Sequence, residues 1–421
     1  MLLSYWPYSR PVFFLPIPDD EKKELEAVNK LVETFTQKDG KERSFMIFLQ
    51  NNMELRPGGG FLGQYAIIKI KNGEVTSSFL EDANLLDQRI IAKVAPPYPF
   101  RQMMQIKKWK FRDSNFSPDF PTNVEKAKYF YRLSGRAGNF DGFAAVNSDV
   151  FNHILGLTGP ITAAGHTFTS ENATLKLEEI VEKAYLMDPN LDTQNRKAIM
   201  KQMMPIIIDK LFTLGNVSKL ADFTHREFKN RNIMVNFTDP ELQALVEGVH
   251  WDGSVTENWG GDYLMMVDAN MGALKTDYYV KREVSYDIDL TTEKPLVTLN
   301  ILYKNTAPYG DWRTSDYHTY LRVYVPKGST LIERKMVGYP YTGEEFGKTY
   351  FGFKCDVVMR RETPAMIKYE LPADFDRENY RLLIQKQSGV GNIPVKVHLK
   401  TKDGEFDQEQ MLDNDLKFEF Q

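Results

Sequence analysis

The sequence contains very little cysteine and histidine, and this limits the chemistry that it can support. Cys355 is the only cysteine among the 421 residues, so neither an intrachain disulfide nor a cysteine-based zinc site can form. The histidines are scattered along the chain, and no two of them have the spacing of a metal-ligand pair. A single cysteine is compatible both with a cytosolic protein and with an exported protein that needs no disulfide.

The chain also lacks an excess of positive charge. Its formal net charge is -4, whereas binding to bulk nucleic acid requires a basic surface that displaces counterions. We therefore predict no nucleic-acid partner. The charge balance does not exclude a small anionic ligand, because one or two arginines are sufficient to bind one.

Long apolar runs are missing as well. The sequence has no run of about 18 apolar residues, so no membrane-spanning helix is predicted. The first 23 residues are apolar and aromatic, but four prolines interrupt them and no basic segment precedes them. They therefore make a poor signal peptide.

The composition is that of a folded protein, with 42% hydrophobic and 26% charged residues. A chain of this length is more than one ordinary core requires, so more than one domain is expected. We predict an N-terminal arm and helix over residues 1–40, an α/β domain over residues 41–275, and a β-sandwich domain over residues 276–421.

In the first part of the chain, strand patterns alternate with helix patterns. The run RSFMIFLQNN has the length of a buried strand, and Asn72-Gly73 is a strong signal for a hairpin turn. The segments PTNVEKAKYFYRLSG and SDVFNHILGLTG are typical of helices that end at glycine, and Pro205 is expected to kink or shorten a later helix. The alternation predicts an α/β fold with a mostly parallel or mixed sheet and helices on both faces.

The pattern changes near the segment from Gly272 to Asp277. From Tyr278 onward, runs such as YYVKREVSYDIDL, PLVTLNILYKN and IPVKVHLKT alternate apolar and polar residues between turn signals. No convincing helix pattern interrupts them. Strands at this spacing predict an all-β antiparallel sandwich.

The segment NNMELRPGGGFLGQYAII places Arg56 and the three glycines of positions 58–60 between two apolar runs. One interpretation is structural: the glycines permit a sharp turn, and the arginine lies at the surface. The other is that the arginine and the backbone N–H groups bind an anion. A Walker loop is excluded because Phe61 stands where lysine is required, and a dinucleotide fingerprint is excluded because a strand pattern follows.

Two further polar segments lie beside predicted strands or helices. In KFRDSNFSPDFPT, Asp119 is expected either to cap the following helix or, with Asp113, to hold a hard cation such as Mg²⁺. Arg112 is expected either to pair with Asp113 or to bind phosphate. The segment LEDANLLDQR adds Asp82 after a predicted strand. Because ligands of open α/β sheets bind where strands end, these loops are candidates for one site.

Four segments resemble a bacterial family known as domain of unknown function 4012. They are LQNNMELRPGGGFLGQYAIIKIKNGEV, RDSNFSPDFPTNVEKAKYFY, DGFAAVNSDVFNHILGLTGPI and GDYLMMVDANMGALKTD. The resemblance continues weakly into the C-terminal part. It implies a protein of the cell envelope, located extracytoplasmically at the cell surface, with a membrane anchor that is absent from this chain.

The first domain is also distantly similar to the LytR-CpsA-Psr phosphotransferases. Those enzymes bind a polyprenyl-pyrophosphate glycan carrier through arginines and a magnesium-holding aspartate, and FDGFAAVNSDVFNHILGLTGPI resembles one of their strand-helix segments. Arg56 stands where they have Arg-Ser-Asp, but Pro57 and Gly58 replace the serine and the aspartate. Their later Pro-Arg-Asp is matched by Leu80-Glu81-Asp82, which keeps the acid and loses the arginine.

Residue patterns and resemblance together give a set of candidate site residues. The predicted catalytic residues are Arg56, Asp82 and Arg112. The predicted substrate-binding residues are Arg56, Gly58, Gly59, Gly60, Arg112, Asn115 and Ser117. The predicted Mg²⁺ ligands are Asp82, Asp113 and Asp119.

Two functions follow from these predictions. The first is a cell-envelope phosphotransferase, or a relative of one, that binds or transfers a glycan linked to polyprenyl pyrophosphate, with Mg²⁺ as its cofactor. The second is a non-catalytic surface or scaffolding module. The loss of the aspartate after Arg56 favours the second, whereas the retained arginine and the polar loops favour the first.

Overall fold

The computed structural model describes residues 19–183, 198–211 and 217–420. Most of the predicted N-terminal arm, residues 1–18, and two parts of the predicted helical region, residues 184–197 and 212–216, lie outside the described residues. None of the helices in the described ranges is both long and apolar enough to cross a membrane.

Helices and strands succeed one another along the described parts of the chain. The α-helices are α1 (Asp19–Thr36), α2 (Ala83–Arg89), α3 (Tyr98–Met103), α4 (Phe120–Leu133), α5 (Asp149–Thr158), α6 (Ala173–Glu178), α7 (Ala198–Leu211), α8 (Val217–Lys229) and α9 (Pro240–Gly248). The strands are β1 (Glu42–Arg56), β2 (Gly59–Lys71), β3 (Glu74–Asp82), β4 (Gly142–Asn147), β5 (Ile161–Ala163), β6 (His166–Phe168), β7 (Ile233–Phe237), β8 (Asp262–Val267), β9 (Val280–Asp289), β10 (Leu296–Asn305), β11 (Tyr317–Pro326), β12 (Thr330–Lys335), β13 (Tyr341–Glu345), β14 (Lys348–Val357), β15 (Glu362–Glu370), β16 (Arg381–Ile384), β17 (Ile393–Lys400), β18 (Glu405–Leu412) and β19 (Leu416–Glu419). Short 3₁₀ turns occupy Phe111–Asp113 and Thr276–Tyr279.

The chain divides into two compact units that alternate along the sequence. Unit 1 comprises the described parts of Met1–Gln50, Leu62–Ala92 and Phe120–Ser254. Unit 2 comprises Asn51–Phe61, Lys93–Asp119 and the described part of Val255–Gln421. Strand β8, which the sequence placed in the α/β domain, is a strand of a unit 2 sheet. The predicted limits of independently folding domains, at residues 40 and 275, stay predictions.

Unit 1 is built on a mixed five-stranded sheet with the order β3-β2-β1-β4-β7. Strands β1 and β4 are parallel, whereas β7 pairs antiparallel to β4 and β3 pairs antiparallel to β2. The turn between β2 and β3 has positive φ at both Asn72 (53°) and Gly73 (82°), which confirms the predicted hairpin. The mixed α/β character of the first part of the chain is confirmed.

Apolar residues spaced along the helices of unit 1 form its cores. In one core, Phe228 of α8 stacks on Trp251 with ring centroids 4.4 Å apart, and Val246 of α9 packs in the same cluster. Asp239 caps α9 by accepting hydrogen bonds from two backbone N–H groups, which fixes the start of that helix. Helix α7 continues past Pro205, so of the two expected effects the early end is wrong, and the kink stays a prediction.

Unit 2 is a β-sandwich of two six-stranded sheets. The strand orders are β12-β15-β10-β9-β17-β18 and β13-β14-β11-β8-β16-β19. Most neighbours are antiparallel, and the parallel pairs are β9 with β17 and β8 with β16. One continuous core includes Ile288 and Leu299 from the first sheet and Leu321 and Phe353 from the second. The alternating apolar pattern predicted this architecture, which is confirmed.

A buried carboxyl group lies inside this sandwich. Asp262 accepts hydrogen bonds from the hydroxyl groups of Tyr286 (2.6 Å) and Tyr380 (2.8 Å), and a third hydroxyl, that of Tyr369, lies 2.9 Å from that of Tyr286. Burial raises the pKa of Asp262 to about 6, because the hydrogen bonds only partly compensate the ionised form for its lost hydration. The folded state therefore binds this proton more tightly than the unfolded state does.

We expect this carboxyl group to make unit 2 less stable as the pH rises from 4 to 7. Below pH 3.8 the group is protonated in both states, and above about pH 6 the folded state carries the full penalty, which is about 3 kcal/mol. Asp262→Asn should flatten this part of the stability profile, measured by urea unfolding at several pH values. Asp374→Asn, at an exposed position of the same unit, is the control, and an unchanged slope in Asp262→Asn would contradict the prediction.

Candidate functional site

Arg56 ends strand β1, and its side chain lies inside unit 2 with an exposed fraction of 1%. Its Nε donates a hydrogen bond to Asp113 Oδ1 (3.2 Å), and its Nη2 donates one to Glu54 Oε1 (2.9 Å). Its Nη1 donates to the backbone carbonyl oxygens of Leu55 and Asn270, each at 3.1 Å. All three guanidinium nitrogens thus have protein acceptors.

Aromatic rings and a second cation complete this arrangement. The guanidinium carbon of Arg56 lies 5.2 Å from the ring centroid of Phe61 and 5.7 Å from that of Phe100. The Lys275 ammonium donates to Glu54 Oε2 at 2.8 Å. We call Glu54, Arg56, Asp113 and Lys275 the Arg56 cluster; it contains two carboxylates and two cations.

The two carboxyl groups of the Arg56 cluster differ in their titration. Burial acts to raise the pKa of Glu54, but the nearby charges of Lys275 and Arg56 outweigh it and lower the pKa below its usual value. For Asp113 burial prevails over the attraction of Arg56, and its pKa is raised. The difference follows from the number of cations, because Glu54 bonds two and Asp113 bonds one.

The glycines beside Arg56 are buried and closely packed. Gly58 donates its backbone N–H to the carbonyl oxygen of Asn115 (3.1 Å), and the Asn115 amide donates to the carbonyl oxygen of Gly60 (2.7 Å). A Cβ on Gly60 would lie 2.1 Å from the carbonyl carbon of Asn51, and Gly59 has φ of 122°. These positions therefore require glycine for close backbone packing and for a conformation that other residues avoid.

A neighbouring segment of unit 2 packs on the same turn. The Gln387 side chain donates to the backbone carbonyl of Arg56 (3.2 Å), and Asn52 donates to the backbone carbonyl of Gly389 (3.0 Å). Gly389 has φ of 80°, and a Cβ there would lie 3.0 Å from the carbonyl carbon of Gly59. The arginine-glycine segment thus forms part of the interior of unit 2.

The other predicted site residues have identifiable contacts. Asp82 belongs to unit 1, where it caps α2 by accepting from the backbone N–H of Asn84 at 2.9 Å. In unit 2, Asp119 Oδ1 accepts from the backbone N–H of Val255 (3.1 Å), and the Ser117 hydroxyl accepts from the backbone N–H of Asp119 (3.2 Å). Arg112 lies half-buried in a 3₁₀ turn.

The structure thus brings together Arg56 with Asp113, and Gly58 and Gly60 with Asn115. Among the residues with described positions, no group of three or more histidine, cysteine, aspartate or glutamate side chains is arranged to hold a metal ion. The catalytic and metal-binding roles assigned to these residues from the sequence stay predictions.

Two residues of the Arg56 cluster, Glu54 and Lys275, were not among the residues predicted from the sequence. Glu54 precedes Arg56 by two residues on the same strand, so the strand period alone places both side chains on one face. That signal was available in the sequence. No local pattern predicts the contact of Lys275 with Glu54, because the two residues are 221 positions apart in the sequence.

A second arginine site in unit 1 was also missed. The Arg136 guanidinium donates to both carboxylate oxygens of Glu81, at 2.6 and 2.7 Å, and it also bonds the hydroxyl group of Tyr65. That hydroxyl donates to Glu81 Oε2 at 2.5 Å. The hydrogen bonds that Arg136 donates to Glu81 raise the pKa of Arg136, and burial raises the pKa of Tyr65. The arginine side chain remains 20% exposed, so this pair lies at the edge of the unit rather than in its interior.

The chain was compared with curated proteins and with solved structures. None of the curated proteins matches it. The Lin1025 protein from Listeria innocua has 15% sequence identity and a TM-score of 0.28, and the match covers 53% of this chain and 85% of that one. TagV from B. subtilis has 13% identity and a TM-score of 0.29, with coverage of 50% and 80%.

A protein-family model matches the segment that contains the arginine-glycine turn and strands β1 to β6. Its description is "Protein of unknown function (DUF4012)", and the family model begins just before β1. The resemblance inferred from the quoted motifs is therefore confirmed over that segment: residues 40–183 of this chain match the domain of unknown function 4012 family.

Proposed function

We propose that this protein is a non-catalytic, extracytoplasmic module of the bacterial cell envelope that binds a glycan without transferring it. The envelope location and the glycan are suggested by the family resemblances of its sequence. The choice of binding over transfer rests on one observation, the enclosure of Arg56 within unit 2.

A phosphotransferase needs arginines that can neutralise the charge developing on a pyrophosphate. Arg56 is the predicted residue for this role, but its guanidinium already makes four hydrogen bonds to protein acceptors. A phosphate that took its place in these bonds would leave Asp113 buried without its cation, which is costly in a low-dielectric interior. This supports a structural role for Arg56.

A second candidate function is the transfer of a glycan from polyprenyl pyrophosphate, with Mg²⁺ held by Asp82. The observation in its favour is Arg136, whose partly exposed guanidinium bonds Glu81, the residue next to Asp82. Arg136 would supply the cation that Leu80-Glu81-Asp82 lacks by comparison with the LytR-CpsA-Psr motif. In both candidate functions the partner is a lipid-linked or polymeric envelope glycan.

Incubation with a short polyprenyl pyrophosphate that carries N-acetylglucosamine distinguishes the two candidates. The full chain is mixed with this probe and Mg²⁺, with and without soluble peptidoglycan fragments, and phosphorus NMR follows cleavage of the pyrophosphate. We expect no cleavage above the protein-free control. Mg²⁺-dependent cleavage would overturn the proposal.

Variants of the predicted site residues test whether any observed cleavage of the pyrophosphate depends on that site. Asp82→Asn and Arg136→Met should abolish it if the second candidate is correct. Asp239→Asn is the control for Asp82→Asn, because Asp239 also caps a helix in unit 1 but lies outside the predicted site. Asparagine still caps a helix, so equal loss in both aspartate variants would point to a general effect of removing a negative charge at a helix N-terminus rather than to catalysis.

A further inference from the structure

Unit 2 presents a row of tyrosine rings, two of which are largely exposed. Tyr98 is 46% exposed and Tyr341 is 51% exposed, and their ring centroids lie 5.8 Å apart with an interplanar angle of 16°. The row continues to Tyr350, whose ring centroid is 6.3 Å from that of Tyr341 at an angle of 29°. We call Tyr98, Tyr341 and Tyr350 the tyrosine platform. Adjacent exposed aromatic rings commonly mark a binding surface.

Glycines in the sheet leave room for these rings. In the antiparallel pair of β13 and β14, Gly343 lies opposite Tyr350 and Tyr341 lies opposite Gly352. A Cβ on Gly343 would lie 2.6 Å from the Tyr350 ring, so this ring rests directly on the glycine. Cross-strand packing of this kind fixes the rings before any ligand arrives, which lowers the entropic cost of binding.

Polar groups lie along the same strands. Glu345 is on β13, four residues after Tyr341, and so faces the same side of the sheet. Its carboxylate accepts hydrogen bonds from the Tyr324 hydroxyl (2.8 Å) and from Nη1 of Arg322 (3.3 Å). This edge of the platform therefore offers an acceptor, the carboxylate of Glu345, whose side chain is 40% exposed.

Arg322 has one donor that is not used. The residue is 5% exposed, its Nη2 donates to the carbonyl oxygen of Phe116 (2.9 Å), and its guanidinium lies over the Phe116 ring at 5.1 Å. Its Nε, by contrast, is buried and has no hydrogen-bond partner within the described residues. A buried N–H without an acceptor is rare in folded proteins and calls for a partner such as an ordered water molecule.

We propose that the tyrosine platform binds a neutral oligosaccharide built from equatorially linked pyranose rings. Such rings carry C–H groups on flat apolar faces, which pack on tyrosine, and hydroxyl groups at their edges, which need donors and acceptors. The partly exposed Glu345 carboxylate supplies an acceptor, and Arg322 balances its charge, so a neutral chain fits better than an anionic one. This inference rests on the proposed function and names the chemical class of its glycan.

A proline-rich peptide is the other kind of chain that docks on aromatic rings. Proline has no backbone N–H to donate to the Glu345 carboxylate. The polar edge of the platform therefore favours the sugar. Binding of a proline-rich peptide instead of a sugar is an outcome that the experiment can detect.

The test is calorimetric titration of the full chain with chitohexaose and with cellohexaose, in the absence of Mg²⁺ and of any pyrophosphate. We expect at least one of these β-1,4-linked chains to bind, and we expect Tyr341→Ala and Tyr98→Ala each to weaken binding roughly tenfold through the loss of ring stacking. Tyr341→Phe, which keeps the ring, should retain most of the affinity.

Tyr309→Ala is the matched control, because Tyr309 is 62% exposed in the same unit and is not part of the platform. Absence of binding to both oligosaccharides, equal weakening in Tyr309→Ala, or preferential binding of a decaproline peptide would each overturn the proposal. The proposed function is tested independently of the platform. Cleavage of the pyrophosphate would refute it whether or not the oligosaccharides bind. If the platform binds neither oligosaccharide, the conclusion that the protein does not transfer a glycan is unaffected.

Discussion

Replacement of Arg56 by methionine is expected to destabilise unit 2 by about 3–5 kcal/mol, as is usual when one partner of a buried ion pair is removed. Methionine fills much of the space between Phe61 and Phe100 but removes the guanidinium that bonds Asp113. Glu54 keeps its contact with Lys275 and is less affected. Urea unfolding followed by tryptophan fluorescence measures the loss.

A double substitution at the same site isolates the effect of the uncompensated carboxylate. If the loss arises from the uncompensated carboxylate, then adding Asp113→Asn to Arg56→Met should restore part of the stability. Arg361→Met, at an exposed arginine of unit 2, should change the unfolding free energy by no more than about 0.5 kcal/mol. A loss of similar size at both arginines would contradict the structural role of Arg56.

Replacement of Gly60 by alanine is expected to destabilise unit 2 by about 3 kcal/mol or more, the upper range for overpacked sites. The added Cβ would lie 2.1 Å from the carbonyl carbon of Asn51 and 2.2 Å from the backbone nitrogen of Asn52. Both neighbours are backbone atoms, so no side chain can rotate away to make room.

Gly391→Ala is the control for this substitution. It adds the same methyl group in unit 2 where no atom lies within 4 Å, at a glycine without positive φ. We expect it to be neutral or slightly stabilising, since alanine restricts the unfolded chain. Equal stability of the Gly60→Ala and Gly391→Ala proteins would show that the backbone at Gly60 can move apart.

The arginine-glycine segment shows which structural features a local sequence pattern predicts and which it does not. Its glycines predicted a turn, and β1 and β2 do flank one. The structural interpretation that places Arg56 at the surface is wrong, because the side chain is enclosed. Arginine is seldom fully buried unless it is paired, and the pairing with Asp113 spans 57 positions. No local pattern encodes such a contact.

The binding surface proposed for unit 2 illustrates the same limit. Tyr98 precedes Tyr341 by more than half of the chain, and neither residue stands out in a sequence with 21 tyrosines. Only the packing of α3 near β13 within unit 2 brings their rings together. The buried, unpartnered Nε of Arg322 is likewise a property of the packed structure, since its exposure depends on residues far away in sequence.

The sequence by itself determined the elements and the class of fold. Alternation with a period of two produced the strands of unit 2, and the positive φ that Asn72 and Gly73 tolerate produced the hairpin of unit 1. Tertiary structure alone decided that residues 51–61 and 93–119 belong to the same unit as the C-terminal strands. Periodicity and turn chemistry act between near neighbours, whereas the burial of a charge depends on which distant groups arrive to compensate it.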